Sequence, residues 1–455
     1  MRIALKDFRA FQETGLIDIR PLTFLVGENS SGKTSLLAAL NYIWSLGERL
    51  GSPTFNSPPF DLGTFDEIVH RVRGRTKPRC FEIIVEEAIT VDVTRSPLYY
   101  RRRESKPSRL TDNCRLKLTF VDSVGDAVIS KLNLGFRGYD LTVDFIERIR
   151  ISIRNTSGKE IYSSHEDQGE MAFSGRAGKV EQLNVADLVY YFRRLIIDVE
   201  APGNPKTEEA GEALAATGAA LEHLLQAFPN AIFASAPVRS NPSRVYTPID
   251  QNRTPEGSHT PQRLFKIKES NEARWNRIKA GLEKFGRESG MFSAISVARY
   301  RSSGSSPFHI NVTRKGKQSN IVDVGYGVSQ ALPILTDLIE STPRSSYLFQ
   351  QPEVHLHPQA QAALGSFFVD HIKDKRRSFI VAETHSDYLI DRVRMAIRNS
   401  EIKPKEVSLL YFQTEGTSTK IHQLEIDPEG NITHTPPGYR DFFVREQMEM
   451  LGISE

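Results

Sequence analysis

The sequence predicts an α/β nucleotide-binding fold, and three observations carry that prediction. The apolar run Leu22-Thr23-Phe24-Leu25-Val26 reads as a buried strand and ends in Gly27-Glu28-Asn29-Ser30-Ser31-Gly32-Lys33-Thr34, a complete G-x-x-x-x-G-K-[ST] loop. The residues that follow, Thr34-Ser35-Leu36-Leu37-Ala38-Ala39-Leu40, are good helix formers. Far along the chain, two further strand-like runs, Ser346–Phe349 and Ser378–Ala382, each end in a polar cluster.

The loop dictates its own chemistry. Glycines let the backbone curl until successive N–H groups point at phosphate oxygens, and the helix behind adds the positive end of its dipole. Gly27, Asn29, Ser30, Ser31, Gly32, Lys33, Thr34 and Ser35 are therefore the expected phosphate-binding residues of a nucleoside triphosphate site. Lys33 neutralises phosphate charge, and the Thr34 hydroxyl is the expected ligand of Mg²⁺.

Bulk properties narrow the class without naming it. At 455 residues, 39% hydrophobic and 25% charged, the chain has the composition of a globular protein of two or three domains. A net charge of +3 is too mild to predict nucleic-acid binding by itself. Local basic clusters at Arg71–Lys77 and Arg101–Arg103 leave nucleic acid open as a partner, although such runs are commonly solvated loops. Cys80 and Cys114 are too few for a disulfide framework or a zinc site, which fits a reducing cytoplasm. No apolar stretch of about twenty residues predicts a membrane span.

The order of elements predicts an interrupted nucleotide domain. Met1–Phe8 alternates like a strand, and Phe81–Val85, Cys114–Phe120 and Ile149–Ile153 read as strands of an antiparallel sheet. Residues 208–227, rich in Ala, Glu and Leu, read as a helix, and the Pro-, Ser- and Thr-bearing run Asn241–Pro261 as an exposed or mobile connection, with Arg239 and Arg244 as at most candidate contacts to phosphate or partner. The expected divisions are residues 1–79 (first part of the nucleotide domain), 80–304 (a β-rich and helical insertion), 305–412 (its second part) and 413–455 (a strand and helix extension).

In the second part, Val324-Gly325-Tyr326-Gly327-Val328-Ser329-Gln330 reads as a small-residue turn ahead of an apolar helix, Ala331–Ile339. A strand then ends in Gln350-Gln351-Pro352-Glu353-Val354-His355-Leu356-His357-Pro358, and another in Glu383-Thr384-His385-Ser386. The series of phosphate loop, glycine-serine-glutamine turn, Gln-Pro-Glu and Thr-His-Ser resembles the ABC-type ATPase heads of the SMC/RecF/OLD-like superfamily, with Pro352–Pro358 most like the OLD-like branch. The resemblance covers the first forty residues and roughly 305–410, and it implies a P-loop ABC-type ATPase head of mixed α/β sheets, broken by the insertion. Gly63-Thr64-Phe65-Asp66-Glu67 falls where the family's Q-loop lies but is too loose to assign.

The resemblance further implies that ATP with Mg²⁺ is sandwiched between two copies. The loop of one copy would hold the phosphates, and Gly325, Gly327, Ser329 and Gln330 of the other would cap the γ-phosphate. His385 matches the switch histidine. His355 and His357, two apart, have no third ligand nearby and read as loop packing and dimer contact rather than a metal site.

The chain departs from the family where a Walker B strand ends in two carboxylates, one for the Mg²⁺ shell and one to polarise water. Gln350 and Gln351 stand there. An amide orients water but does not accept its proton. In one OLD-like branch Glu-Gln is followed by a Glu two residues later, which would make Gln351 and Glu353 native and Gln350 the outlier. Gln350 is then either natural, in a slow or inactive ATPase, or an introduced near-isosteric trap. Glu353 is the carboxylate candidate at this site, with helix capping as its rival role.

Together these features lead us to expect an ATP-driven molecular switch. Without heptad arms or a recognisable Toprim nuclease, the expectation is a stand-alone, homo-oligomeric, cytoplasmic ATPase of bacterial antiviral (anti-phage) defence that holds or activates a separate effector such as a nuclease. Two rival readings remain: a DNA-binding ATPase of the RecF/SMC kind, and a scaffold that binds ATP without turnover.

Overall fold

A computed structural model describes residues 1–47, 53–71, 80–92, 109–145, 150–163, 208–249, 252–300, 306–374, 378–437, 439 and 448. The basic residues 72–77 and 101–103 and the expected terminal helix lie outside them. The chain divides into two compact units, one of Met1–Ile19, Thr34–Ile232 and Thr414–Lys420, the other of Arg20–Lys33, Phe233–Gln413 and Ile421–Glu455.

Alternating sequence builds the first unit. In strands such as Tyr139–Asp144 and Arg150–Arg154, every second side chain is buried, so one face of the sheet is apolar. Eight strands pair in the order Glu160–Ser163, Arg150–Arg154, Tyr139–Asp144, Asp126–Phe136, Arg109–Ser123, Cys80–Asp92, Arg2–Phe8 and Phe11–Glu13, with Ile17–Asp18 beside Arg2–Phe8. Their pairing is antiparallel throughout. The apolar face is covered by the helix Glu208–Ala227, whose Ala213, Leu214, Thr217, Leu221 and Leu224 are buried at helical spacing. Tyr42, from the helix Lys33–Ser45, adds an aromatic cluster, stacked on Phe55 at 4.2 Å and edge-on to Phe120 at 5.3 Å.

The second unit is centred on a sheet with a parallel middle. Its order is Ala231–Ser235, Ser345–Gln350, Phe379–Glu383, Leu22–Gly27, Val407–Glu415, Ser418–Ile426 and Ile432–Thr433. Continuous burial along Ser345–Gln350 and nearly all of Leu22–Gly27 is what parallel strands covered on both faces require. The register matters for the site. Gln350 pairs with Glu383, Glu383 with Leu25, and Phe412 with Gly27, so the strands end along one edge.

Helices cover this sheet. In Asp387–Arg398, Leu389, Ile390, Val393, Ala396 and Ile397 form the buried face, and Ser386 caps the start by accepting the Leu389 N–H. A three-stranded sheet, Ala294–Arg299, Phe308–Arg314 and Lys317–Asn320, lies with the helices Thr260–Ser270 and Glu272–Glu288 in the same unit.

One local expectation holds and one changes. The run Asn241–Pro261 is exposed or half-buried over most of its described length, as expected, and is tied to the rest of its unit: Tyr246 exchanges backbone hydrogen bonds with Phe308, and Ser240 N–H donates to the Glu256 carbonyl. The helix expected from Ala331 starts at Tyr326, because Gly325 supplies an extended N-cap and Val328 N–H already bonds back to the Gly325 carbonyl. Gly327, Ser329 and Gln330 therefore lie in its first turns. Pro333 interrupts the ladder of this helix and packs so near Gly257 (φ +76°) that a Cβ there would stand 2.4 Å from the Pro333 ring.

The helix Tyr326–Ile339 ends at Glu340, a carboxylate at the negative end of the dipole. Two arginines offset that placement. Arg263 and Arg274 converge on the fully buried Glu340 side chain, with Arg274 Nε donating at 2.6 Å. Glu340→Gln should cost about 1.5–3 kcal/mol, the range for hydrogen bonds to a charged group. The midpoint of urea unfolding, compared with the parent, measures the loss.

Candidate nucleotide site

The phosphate loop is shaped by backbone that only certain residues tolerate. Gly27 has φ +134°, and a Cβ there would lie 2.2 Å from the Phe412 carbonyl oxygen, so no side chain fits. Ser30 (φ +61°) and Gly32 (φ +91°) complete the curl, and the Ser31 hydroxyl braces it by donating to the Glu28 carbonyl at 2.7 Å. Glu28, Asn29 and Ser30 are exposed, whereas Ser31 and Lys33 are buried. Lys33 Nζ donates to the Gly27 and Glu28 carbonyls at 3.1 and 2.6 Å and stands 3.9 Å from Glu383 Oε1. Burial lowers its pKa, and Glu383 and Glu28 oppose that shift. Thr34, exposed, and Ser35, buried, are the next residues of the helix.

At the neighbouring strand ends, Gln350 is buried and its Nε2 has no protein partner. Gln351 turns the chain with φ +44°, a left-handed conformation that costs a non-glycine residue about 1–3 kcal/mol. Two bonds hold it there. Its N–H donates to the Glu383 carbonyl at 2.9 Å, and its carbonyl accepts from Arg239 Nη2 at 3.0 Å.

Glu353 is buried in the turn that follows. Its Oε1 accepts the His385 N–H at 2.8 Å and its Oε2 has no partner, so the carboxylate ties this turn to the segment that follows the strand Phe379–Glu383. Burial raises its pKa against that hydrogen bond. The His385 ring reaches solvent. Partial burial and the Lys33 charge lower its pKa, against the opposing Glu383, so it is neutral at pH 7.

The signature residues form a separate group on the helix Tyr326–Ile339. Gly325 has open space where a Cβ would stand, and Tyr326 is exposed. Gly327 is closed in, since a Cβ there would meet the His355 carbonyl at 2.9 Å. Ser329 and Gln330 are buried; the Ser329 hydroxyl donates to the Tyr326 carbonyl, and Gln330 Nε2 reaches the Arg239 and Ser240 carbonyls at 3.5 Å. His355 takes φ +65° with its ring 6.0 Å from that of Tyr326, while His357 Nδ1 accepts from Gln359 N–H at 3.4 Å. Among the described residues no group of three His, Cys, Asp or Glu forms a metal cluster. Gly63–Glu67 makes an N-capped turn in which Glu67 accepts the Thr64 N–H.

Residues 131–391, more than half of the chain, match the family described as "AAA domain, putative AbiEii toxin, Type IV TA system". The chain belongs to this AAA family. Residues 1–114 match a second description, "AAA ATPase domain", and residues 402–445 a third, "Protein of unknown function (DUF3696)". This AAA protein is thus a nucleotide-binding chain of ATPase type with a mixed α/β fold.

No curated protein matches it. Solved structures that resemble it include an SMC head bound to the C-winged helix domain of ScpA (10% identity, 94% of this chain and 97% of that one, TM-score 0.40). The SMC head domain from Thermotoga maritima is another (10%, 93% and 98%, TM-score 0.35), as is the Smc head domain with a coiled coil and joint from Pyrococcus yayanosii (8%, 94% and 97%, TM-score 0.38). No helix among the described residues is long and apolar enough to cross a membrane.

One residue at the strand ends goes beyond those the sequence singles out. Glu383 ends the otherwise apolar strand Phe379–Ala382, and a lone carboxylate in that place is a signal in itself. Arg239, four residues past the strand Ala231–Ser235, is the candidate contact to phosphate or partner whose side chain the structure turns onto the Gln351 carbonyl.

Two measurements test the geometry. Lys33→Ala should lower ATP affinity by about 10- to 100-fold, the cost of losing charge-assisted hydrogen bonds, as read by equilibrium dialysis. For His385, a folded-state pKa below 6.5 means that the unfolded chain takes up the proton first as pH falls. The stability linked to it is complete above 6.5 and declines below. The melting temperature of the parent should therefore drop more between pH 6.5 and acid than that of His385→Asn.

Proposed function

We propose that this AAA protein is an ATP-hydrolysing molecular switch of the ABC type, in which ATP joins two copies through their heads. One observation carries the reading: Gly27, Gln350 and Glu383 end neighbouring strands in register, with Lys33, Glu353 and His385 beside them. That edge, at the carboxyl ends of parallel strands, is where open α/β sheets bind ligands.

Each residue then has a role. Gly27, Asn29, Ser30, Ser31, Gly32, Lys33, Thr34 and Ser35 cradle the phosphates of ATP, the substrate. Thr34 would hold Mg²⁺, which when bound spreads and neutralises phosphate charge. The donor set fits, because Thr34 is exposed directly after the buried Lys33, and Gln350 and Glu353 each keep an unpartnered polar atom near the strand ends. Gln350 orients water, Glu353 supplies the carboxylate, Gln351 fixes the turn between them, and neutral His385 senses the γ-phosphate through a hydrogen bond.

The open N-terminus of the helix Tyr326–Ile339 supports pairing of heads. Its first N–H groups and dipole suit a phosphate, and Gly325 leaves room for one. In this reading Gly325, Gly327, Ser329 and Gln330 cap the ATP held by the partner copy. Residues 1–79 and 305–412 form the head, 80–304 the insertion that meets a signal or effector, and 413–455 the extension. In the same reading the switch acts in bacterial defence with a separate effector such as a nuclease under its control; the description of its family names a putative toxin of a Type IV TA system.

ATP should drive self-association of the parent, seen by sedimentation. Gln350→Glu should raise turnover by about 10²–10⁴-fold, the usual worth of a general base. Absence of turnover in both chains would remove hydrolysis from the reading and leave an ATP-bound scaffold.

A further inference from the structure

The segment Ala236–Ser240 brings an arginine into the interior of the second unit. Arg239 is 2% exposed, and its Nη2 donates to the Gln351 carbonyl, while Nε and Nη1 have no protein partner. A buried guanidinium with unmet donors is costly, so its presence calls for a compensating role. Burial lowers its pKa to about 10, opposed by the Glu353 charge, and it stays protonated at neutral pH.

Glu353, whose Oε2 is likewise unpartnered, interacts with this cation electrostatically. The backbone of the same segment faces the other motif. Gln330, in the first turns of the signature helix, directs its amide to the carbonyls of Arg239 and Ser240 through weak, shared 3.5 Å contacts. One residue thus touches the signature helix with its carbonyl and the Gln351–Glu353 turn with its side chain.

We propose that Arg239 is the positioning residue that couples the signature helix to the phosphate-site turn within one copy of the chain. The inference rests on the ATP-switch reading above and adds a route inside the head. When nucleotide orders the turn at Gln351, the change passes through the Arg239 guanidinium and backbone to Gln330, and so to the surface that meets a second copy. The link is short and made of named contacts, which is the physical content a coupling argument needs.

Hydrogen exchange with and without ATP tests it, at a protein concentration low enough to keep the chain monomeric. In the parent, ATP should slow exchange both in the loop 27–34 and in the helix start 326–332. In Arg239→Met the loop should stay protected while the effect at 326–332 falls by about 2- to 30-fold, the range for residues that carry coupling. Arg239→Lys, which keeps the charge and one donor, should fall between. Gln330→Leu, cutting the link from its other end, should lose the effect at 326–332 as well, and serves if Arg239→Met does not fold.

Equal protection of 326–332 in the parent and in the folded variants would overturn the proposal, as would a parent in which ATP protects only the loop. Failure of the switch reading shows separately, as a parent that binds ATP yet does not self-associate in sedimentation at high concentration.

Discussion

The hydrogen-bonded register of four parallel strands is the constraint on which the rest of the site depends. Each ladder fixes its neighbour to within a residue: Gln350 against Glu383, Glu383 against Leu25, Phe412 against Gly27. A slip of one residue would turn every side chain to the opposite face and would part Gln350 from Glu383 at the strand ends. Lys33, Glu383, Gln351 and His385 are consequently held by backbone rather than by their own flexible side chains.

On that frame the polar groups are held in tension. Lys33 is buried among carbonyls and near a carboxylate, Glu353 keeps one oxygen without a partner, and Gln350 and Arg239 keep donors without protein partners. Such groups are expensive in an apolar core and sit where a polar ligand or water offsets them. At the strand ends Gln350, Glu353 and Arg239 bring such groups together.

Much of this was legible in the sequence because it is local. The phosphate loop is contiguous, so its glycines, lysine and threonine announce themselves, and the alternation in Cys114–Phe120 and the Ala-rich run at 208–227 needed no tertiary information. What the sequence leaves open depends on contacts across long separations. Arg239 acquires meaning only when Gln351, 112 residues away, is folded against it. The start of the signature helix was misplaced because glycines at 325 and 327 read as a turn, whereas one serves as an N-cap and the other is packed under the His355 carbonyl. The Asn241–Pro261 run is largely exposed or half-buried, as its composition implies, but its hydrogen bonds run partly to Phe308, far along the chain, where local sequence does not show them.

The space denied to a side chain at Gly27 is filled by the carbonyl of Phe412. Phe412 lies within residues 402–445, the stretch whose family carries no functional description. That stretch is therefore one wall of the phosphate loop, nearly four hundred residues downstream of it. Any displacement of the strand Val407–Glu415, by a ligand, a partner or a substitution in its hairpin, alters the room available to the first glycine of the loop. The fit of the loop's first residue is thus decided by backbone from the far end of the sequence.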